Sequence, residues 1–344
     1  VTTDTGCHDD TSAAALCEWA RRTVAPSLRT AVETLPAEVR LVAQYHLGLT
    51  DEHGHSSNAW SGKALRPALT LLSAEAVGTA TSAVPAAVAV ELVHNFSLLH
   101  DDVMDQDRTR RHRPTAWTVF GSNVAILTGD ALSSLASAVL ADSANPAAPG
   151  AIGQLNAAVQ ELIRGQAMDL AFERREDVDL SECQSMAQAK TGALLGVACE
   201  LGAAFAGGTE AQRASLRLFG ERLGLAFQHV DDLLGIWGDP EATGKPGYSD
   251  LRGRKKTLPV VAALKAGTPA ARQLATRYHG EDAPDHAELA EMARLVDAAG
   301  GRAWSESEVD QLLRDARCQL DVVAPAARTR GLREIADLVA RRDR

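Results

Sequence analysis

The chain has 344 residues, a formal net charge of −10 and a hydrophobic fraction of 45%, enough for one large core or two ordinary ones. The acidic balance argues against a nucleic-acid binder, which needs a basic surplus. Aromatics make up only 4%, so the core must be built mainly from Ala, Leu and Val.

The N-terminal stretch VTTDTGCHDDTSAA is acidic and polar. It has no basic segment and no apolar one, so it does not read as a secretory signal. Residues 1–25 are expected to be partly mobile. Cys7, Cys17, Cys183, Cys199 and Cys318 are scattered, without a CxxC. They read as free thiols in a reducing cytoplasm, not as disulfides or a zinc site. No run reaches about 18 consecutive apolar residues, so no transmembrane helix is expected. Good helix formers dominate, and no alternating run of β-branched residues occurs. The reading is all-α, with one helical domain over residues 26–344.

Gly, Pro, Asn and Asp predict loops at 48–62, 142–150, 206–209, 238–254, 280–286 and 298–302. His46, His53 and His55 fall near the first of these, but no spacing supplies further metal ligands. Lys63 and Arg66 follow at a separation that puts them on one helix face. The segment 86–105 carries Val88, Leu92, Phe96 and Leu99 at helical intervals. It ends in Asp101, Asp102 and Asp105, of which the first and last share a face. Carboxylates so placed repel unless a cation lies between them, and magnesium takes one or two carboxylates plus substrate phosphates. Arg108, Arg110, Arg111 and Arg113 come next; they balance the acids or bind the same polyanion from a second side. Residues 151–170 predict another helix with Leu155, Val159, Leu162 and Ile163 on its apolar face. Phe227, Gln228 and His229 precede a second pair, Asp231 and Asp232. A Gly-rich loop with Lys245 and Asp250 follows, and then Lys255 and Lys256. Two acidic clusters and several basic ones, without kinase or P-loop signatures, point to two phosphorylated organic substrates with bridging magnesium.

These motifs resemble those of the trans-isoprenyl diphosphate synthases, or polyprenyl synthetases, most nearly the actinobacterial geranylgeranyl type. GKALRP (62–67) is similar to the family's GKxxRP. DDVMDQDRTRRHRP (101–114) is similar to its DDxxD followed by RRxxP. Lys190-Thr191, FQHVDDLLGIWGD (227–239), Gly244-Lys245 and Lys255-Lys256 follow in the family's order. The resemblance implies a bundle of roughly 10 to 14 helices around a central cavity, the isoprenoid synthase fold. It implies magnesium-dependent head-to-tail (1′-4) condensation of isopentenyl diphosphate with dimethylallyl, geranyl or farnesyl diphosphate. Asp101, Asp105 and Asp231 would hold about three magnesium ions on the allylic diphosphate, with Asp102 and Asp232 supporting that shell. Arg110, Lys190, Lys245 and Lys255 would grip the same diphosphate. Lys63, Arg66, His94 and Arg111 would bind the diphosphate of isopentenyl diphosphate. Thr191 and Gln228 would lie near the cation and the departing diphosphate, and Gln166 and Asp169 match a further inward-facing pair. A homodimer is implied as well.

The sequence departs from the family at Gly235, where DDxxD has its third aspartate, and at Ser61 and Ala64. Phe96 lies about 7.5 Å below Asp101 along a helix, where its ring would floor the product channel. Ser97 is too small to do so. That pattern resembles enzymes making the C20 product, geranylgeranyl diphosphate. Two other functions remain open at this point: a class I terpene cyclase acting on a single diphosphate, and a non-catalytic subunit of a heteromeric synthase.

Overall fold

The computed structural model describes residues 12–57, 62–239, 247–278, 280 and 283–341. The helices in chain order are α1 (Ala13–Glu33), α2 (Ala37–His46), α3 (Leu65–Val77), α4 (Val84–Met104), α5 (Ala116–Phe120), α6 (Ser122–Ala141), α7 (Ala148–Phe172), α8 (Leu180–Ala187), α9 (Ala193–Phe205), α10 (Glu210–Trp237), α11 (Ser249–Arg252), α12 (Leu258–Lys265), α13 (Pro269–Tyr278), α14 (His286–Ala298), α15 (Gly301–Val323) and α16 (Ala326–Arg341). The only sheet among the described residues is an antiparallel hairpin, β1 (Thr109–Arg110) with β2 (Arg113–Pro114). The all-α expectation therefore holds. Among the described residues fourteen helices have eight residues or more, within the expected 10 to 14; the short α5 and α11 are too brief to leave a periodic pattern. Ser12 caps α1 by accepting from Ala15 N at 3.3 Å. Leu16, Cys17, Ala20 and Val24 are buried, so residues 13–25, expected to be partly mobile, form a packed helix. Residues 1–11 of that segment, Cys7 among them, lie outside the described residues.

By contact the chain divides into two compact units. The first comprises Val1–Ile152, Ala198–Arg213 and Val323–Leu338. Its centre is α4, which packs most extensively against α6 and also against α3 and α1. Val88, Leu92, Phe96 and Leu99 are all buried, as their spacing predicts, and Ala86, Ala87 and Ala89 bury the other sides. Small residues all round let neighbouring backbones approach closely. Residues Ala80–Met104 and Ser122–Ala141 are each long and apolar enough to cross a bilayer by length and composition; 72% of the first window is buried in the core but only 33% of the second. α6 exposes Ile126 and Leu127.

The second unit comprises Gly153–Val197, Ala214–Val322 and Val339–Arg344. Its core gathers Ile236 with Leu251, Val260, Leu274, Tyr278, Leu289 and Val296. A capping box starts α14: Glu288 N donates to Asp285 Oδ1 at 2.8 Å, and the Glu288 carboxylate accepts from Asp285 N. On α7, Leu155, Val159 and Leu162 are buried as predicted, but Ile163 is exposed.

Close backbone approach in the first unit has a direct test. A Cβ on Gly202 of α9 would overlap the Thr70 carbonyl oxygen of α3. Gly202→Ala is expected to cost about 1–3 kcal/mol, read as a lower urea midpoint. An unchanged midpoint would contradict this packing.

Candidate functional site

In the first unit the end of α4 carries Asp101, Asp102 and Asp105. Asp101 and Asp105 are partly exposed, whereas Asp102 is 1% exposed. Both Nε and Nη2 of Arg110 reach Asp102 Oδ1 at 2.6 Å. Burial pushes the Asp102 carboxyl above its usual range, and Arg110 pulls it back. Asp102 is thus held by the protein, while Asp101 and Asp105 keep part of their surface in solvent.

Arg110 and Arg111 owe their placement to the hairpin. Arg111 (φ 51°) and His112 (φ 61°) form its two-residue loop, and the positive φ values are those of the primed turns that match strand twist. Non-glycine residues are strained there. The hairpin is clamped from α2: Arg113 stacks 4.5 Å over the Tyr45 ring, and Tyr45 Oη donates to Pro114 O at 2.9 Å. Arg110 thereby reaches Asp102. The Arg111 guanidinium lies over Gly62, where a Cβ would come within 2.9 Å of Nη1. Arg21 Nη2 fixes the same glycine by donating to Gly62 O at 3.0 Å.

Beside Gly62 follow Lys63, which is exposed, and Arg66. Arg66 Nη1 lies 3.1 Å from His94 Nε2. A guanidinium only donates, so the imidazole accepts at Nε2 and is neutral. Burial, then Arg66 and Arg111, hold His94 well below its ordinary value. Burial also pushes Arg66 down to about 10, and Glu91 opposes that shift. Glu91 is 5% exposed, raised by burial and lowered by Arg66, and accepts from Asn95 Nδ2 at 3.2 Å. Below the aspartates, Phe96 is buried, with its ring edge-on to His100 at 4.9 Å between centroids. Ser97 Oγ donates back to His94 O at 2.8 Å.

The second unit holds the other group. A π-helical turn, Gln188–Gly192, lies between α8 and α9. Glycines surround it: a Cβ on Gly165 of α7 would overlap Lys190 N, and one on Gly224 of α10 would come within 2.7 Å of Gly192 Cα. Consecutive side chains therefore reach different helices. Lys190 Nζ pairs with Asp169 Oδ2 of α7 at 2.6 Å, and Thr191 Oγ1 donates to Gln228 Oε1 of α10 at 2.7 Å. Gln228 Nε2 donates to Asp232 Oδ1 at 2.8 Å, and Leu258 N donates to Asp232 Oδ2 at 2.8 Å. Asp232 is buried and pushed up to about 8, by burial first and Asp250 next. Asp231 is exposed. The strap at 255–256 is pinned through its carbonyls, by Tyr278 Oη on Lys255 O and by Cys183 Sγ on Lys256 O.

Within each unit, then, part of the predicted set is joined by direct contacts: Arg110 to Asp102 and Arg66 to His94 in the first, Lys190 to Asp169 and Thr191 through Gln228 to Asp232 in the second. Lys245 lies outside the described residues. Sequence reasoning missed Glu91, Arg21 and the Tyr45–Arg113 clamp. Glu91 had a signal, as the one acid inside the apolar run 84–99 and four residues before Asn95. Among the described residues, no three His, Cys, Asp or Glu side chains close on one point. The donors are instead outward carboxylates in ones and twos. That set fits magnesium, which completes its octahedron with water and phosphate oxygens.

The polyprenyl synthetase family matches residues 52–296. A (2E,6E)-farnesyl diphosphate synthase of Mycobacterium tuberculosis is 50% identical over 293 residues, covering 84% of this chain and 82% of that protein. A geranylgeranyl diphosphate synthase of the same organism is 43% identical over 333 residues, covering 96% and 94%. Among solved structures, a polyprenyl synthetase of Streptomyces coelicolor superposes with a TM-score of 0.90 at 47% identity, covering 94% of this chain and 98% of that one. The all-α fold is accordingly the isoprenoid synthase fold. Neither a cyclase nor a non-catalytic subunit finds support in these relatives.

The arginines of the hairpin carry a pH signature. His46 lines a small cavity of about 30 Å³ with Tyr45, Asp102, Arg110, Arg111 and Arg113. Burial first, then Arg110, Arg111 and Arg113, push it down to about 3, opposed by a bond with Asn95. A histidine kept neutral by the fold stabilises it fully above about pH 6.5, and that contribution fades as pH falls toward 3. Between about pH 7 and pH 5 the group should remove about 2 kcal/mol of unfolding free energy. His46→Gln should lack that part of the drop; equal pH slopes in urea titrations of the two proteins would refute it.

Proposed function

The chain belongs to the polyprenyl synthetase family and is a prenyltransferase, a trans-prenyl diphosphate synthase, and on that basis we propose that it extends allylic diphosphates with isopentenyl diphosphate and stops at geranylgeranyl diphosphate. The observation that carries the site assignment is the division within each acidic pair. Asp102 and Asp232 are buried and held by protein donors, while Asp101, Asp105 and Asp231 stay accessible.

In this reading Asp101, Asp105 and Asp231 bind magnesium, about three ions in all. Magnesium held by these carboxylates would supply the positive charge that lets the allylic C–O bond ionise. Arg110, Lys190, Lys245 and Lys255 grip that diphosphate. Lys63, Arg66, His94 and Arg111 hold the isopentenyl diphosphate. The electron pair of the broken C–O bond leaves on the diphosphate. The isopentenyl double bond then supplies the pair for the new C–C bond, and a proton is lost to the released diphosphate. Neutral His94 donates from Nδ1 without adding repulsion to Arg66. Thr191, held by Gln228, presents its oxygen lone pairs near the allylic cation. The lysine strap excludes water that would quench it.

Phe96 supports the C20 limit, since it is buried about one and a half turns below Asp101, while Ser97 is turned to the backbone. A C15 product is the second reading, favoured by the 50% identical farnesyl diphosphate synthase. Exposed Ile126 and Leu127 on α6 support a homodimer through that helix. Free thiols at Cys17, Cys183, Cys199 and Cys318 suit the cytoplasm.

Incubation with magnesium, isopentenyl diphosphate and each allylic primer, followed by chromatography of the dephosphorylated products, tests both readings. Geranylgeraniol is expected as the end product, and accumulation of farnesol would replace C20 by C15. Phe96→Ala should shift the distribution to longer chains, and an unchanged distribution would remove Phe96 from the channel floor. Leu127→Glu should convert a dimer to a monomer in sedimentation velocity.

A further inference from the structure

Gly129 is buried inside α6. A glycine in a helix interior is destabilising relative to alanine, so its presence calls for a physical reason. The reason is on α4. A Cβ on Gly129 would overlap Nε2 and Cδ2 of the His100 ring, so the imidazole fills the place of the missing side chain. His100 Nε2 lies 2.9 Å from Ile126 O. A carbonyl only accepts, so Nε2 carries the hydrogen and donates it. The exposed Asp130 carboxylate is 3.7 Å from the same nitrogen, too far to take the place of the carbonyl. The ring is therefore tied to the backbone of α6, which no side-chain rotation can move. Its other neighbour is Phe96, one turn earlier on the same face of α4. The two rings meet T-shaped, 4.9 Å between centroids, an arrangement that aromatic pairs favour.

We propose that His100 is a positioning residue for product length: it holds the Phe96 ring in place as the channel floor, and Gly129 is the seat that admits it. A phenylalanine fixed only by its own helix has other staggered rotamers to adopt, and a growing apolar tail would push it aside. His100 fills the space beside the ring and is itself anchored on a second helix. The floor is then built from α4 and α6 together, although the tail meets Phe96 alone. The role rests on the reading of Phe96 as the channel floor.

The test is the distribution of dephosphorylated products from magnesium, isopentenyl diphosphate and an allylic primer. A loss of folded enzyme lowers the yield but not the ratio of chain lengths, so a merely structural role would leave that ratio alone. His100→Ala should lengthen the end product by about one isoprene unit, because the Phe96 ring can turn into the vacated space. His100→Gln keeps an amide donor for Ile126 O and loses the ring; it should lengthen the products as well. Gly129→Ala expels the imidazole from its seat and should shift the distribution the same way. Adding His100→Ala to Phe96→Ala should change nothing beyond Phe96→Ala alone, since a residue that acts only through the ring has no effect once the ring is gone. An unchanged distribution in the His100 variants or in Gly129→Ala overturns the proposal. So does a further lengthening in the double variant, which would make His100 part of the channel wall. If Phe96→Ala lengthens the products and the His100 variants do not, the floor reading stands and only this proposal falls. If Phe96→Ala itself changes nothing, the floor reading fails first and this proposal falls with it.

Discussion

Adjacent carboxylates on one helical turn repel, and the site depends on how the fold manages that repulsion. It does so by giving the two members of each pair different surroundings. Asp102 is sealed against Arg110 and Asp232 against Gln228 and the Leu258 amide. A buried carboxylate must be paired or hydrogen-bonded, so these two are held in place by their partners. Asp101, Asp105 and Asp231 are left accessible, which is the state a magnesium ligand requires. The buried aspartates are structural anchors: Asp102 holds the arginine hairpin, and Asp232 holds the start of α12.

The cationic side carries the opposite problem. Arg66 and Arg111 repel one another, and burial weakens the charged form of Arg66. Glu91 offsets this from inside α4, held in turn by Asn95. His94 takes the neutral form, so a further group joins the cluster as an acceptor to Arg66 without adding charge. An anionic ligand bound there, as proposed, would meet a set of cations already ordered by the fold, which would reduce the reorganisation needed on binding.

The second unit solves a problem of space. Gly165, Gly192 and Gly224 bring α7, the π turn and α10 close enough for Lys190 and Thr191 to bond to different helices. Extra-residue turns of this kind recur at functional sites because they redirect side chains that an α-helix would fix. Gly235 works by the same rule, since a Cβ there would overlap the Asp250 carboxylate, and so does Gly129 in the first unit, which makes room for the His100 ring.

Residue order alone was enough to read the all-α class and the buried face of α4, and to single out the two acidic pairs as candidates. Those signals are local: helical periodicity repeats every three or four residues, and the motif residues sit within a few positions of each other. Resemblance also grouped Lys63 and Arg66 with Arg111, although the hairpin lies well beyond them in the chain. Helix spacing already sets Asp101 and Asp105 on one face and Asp102 off it; folding supplied what seals Asp102, the Arg110 guanidinium eight residues on. Folding also settled that residues 13–25 pack as a helix, that Ile163 faces outward and that Tyr45 holds the hairpin 69 residues away. It seated the His100 ring against Gly129 of another helix. These outcomes depend on steric exclusion and burial between segments distant in the chain, and no local pattern records them.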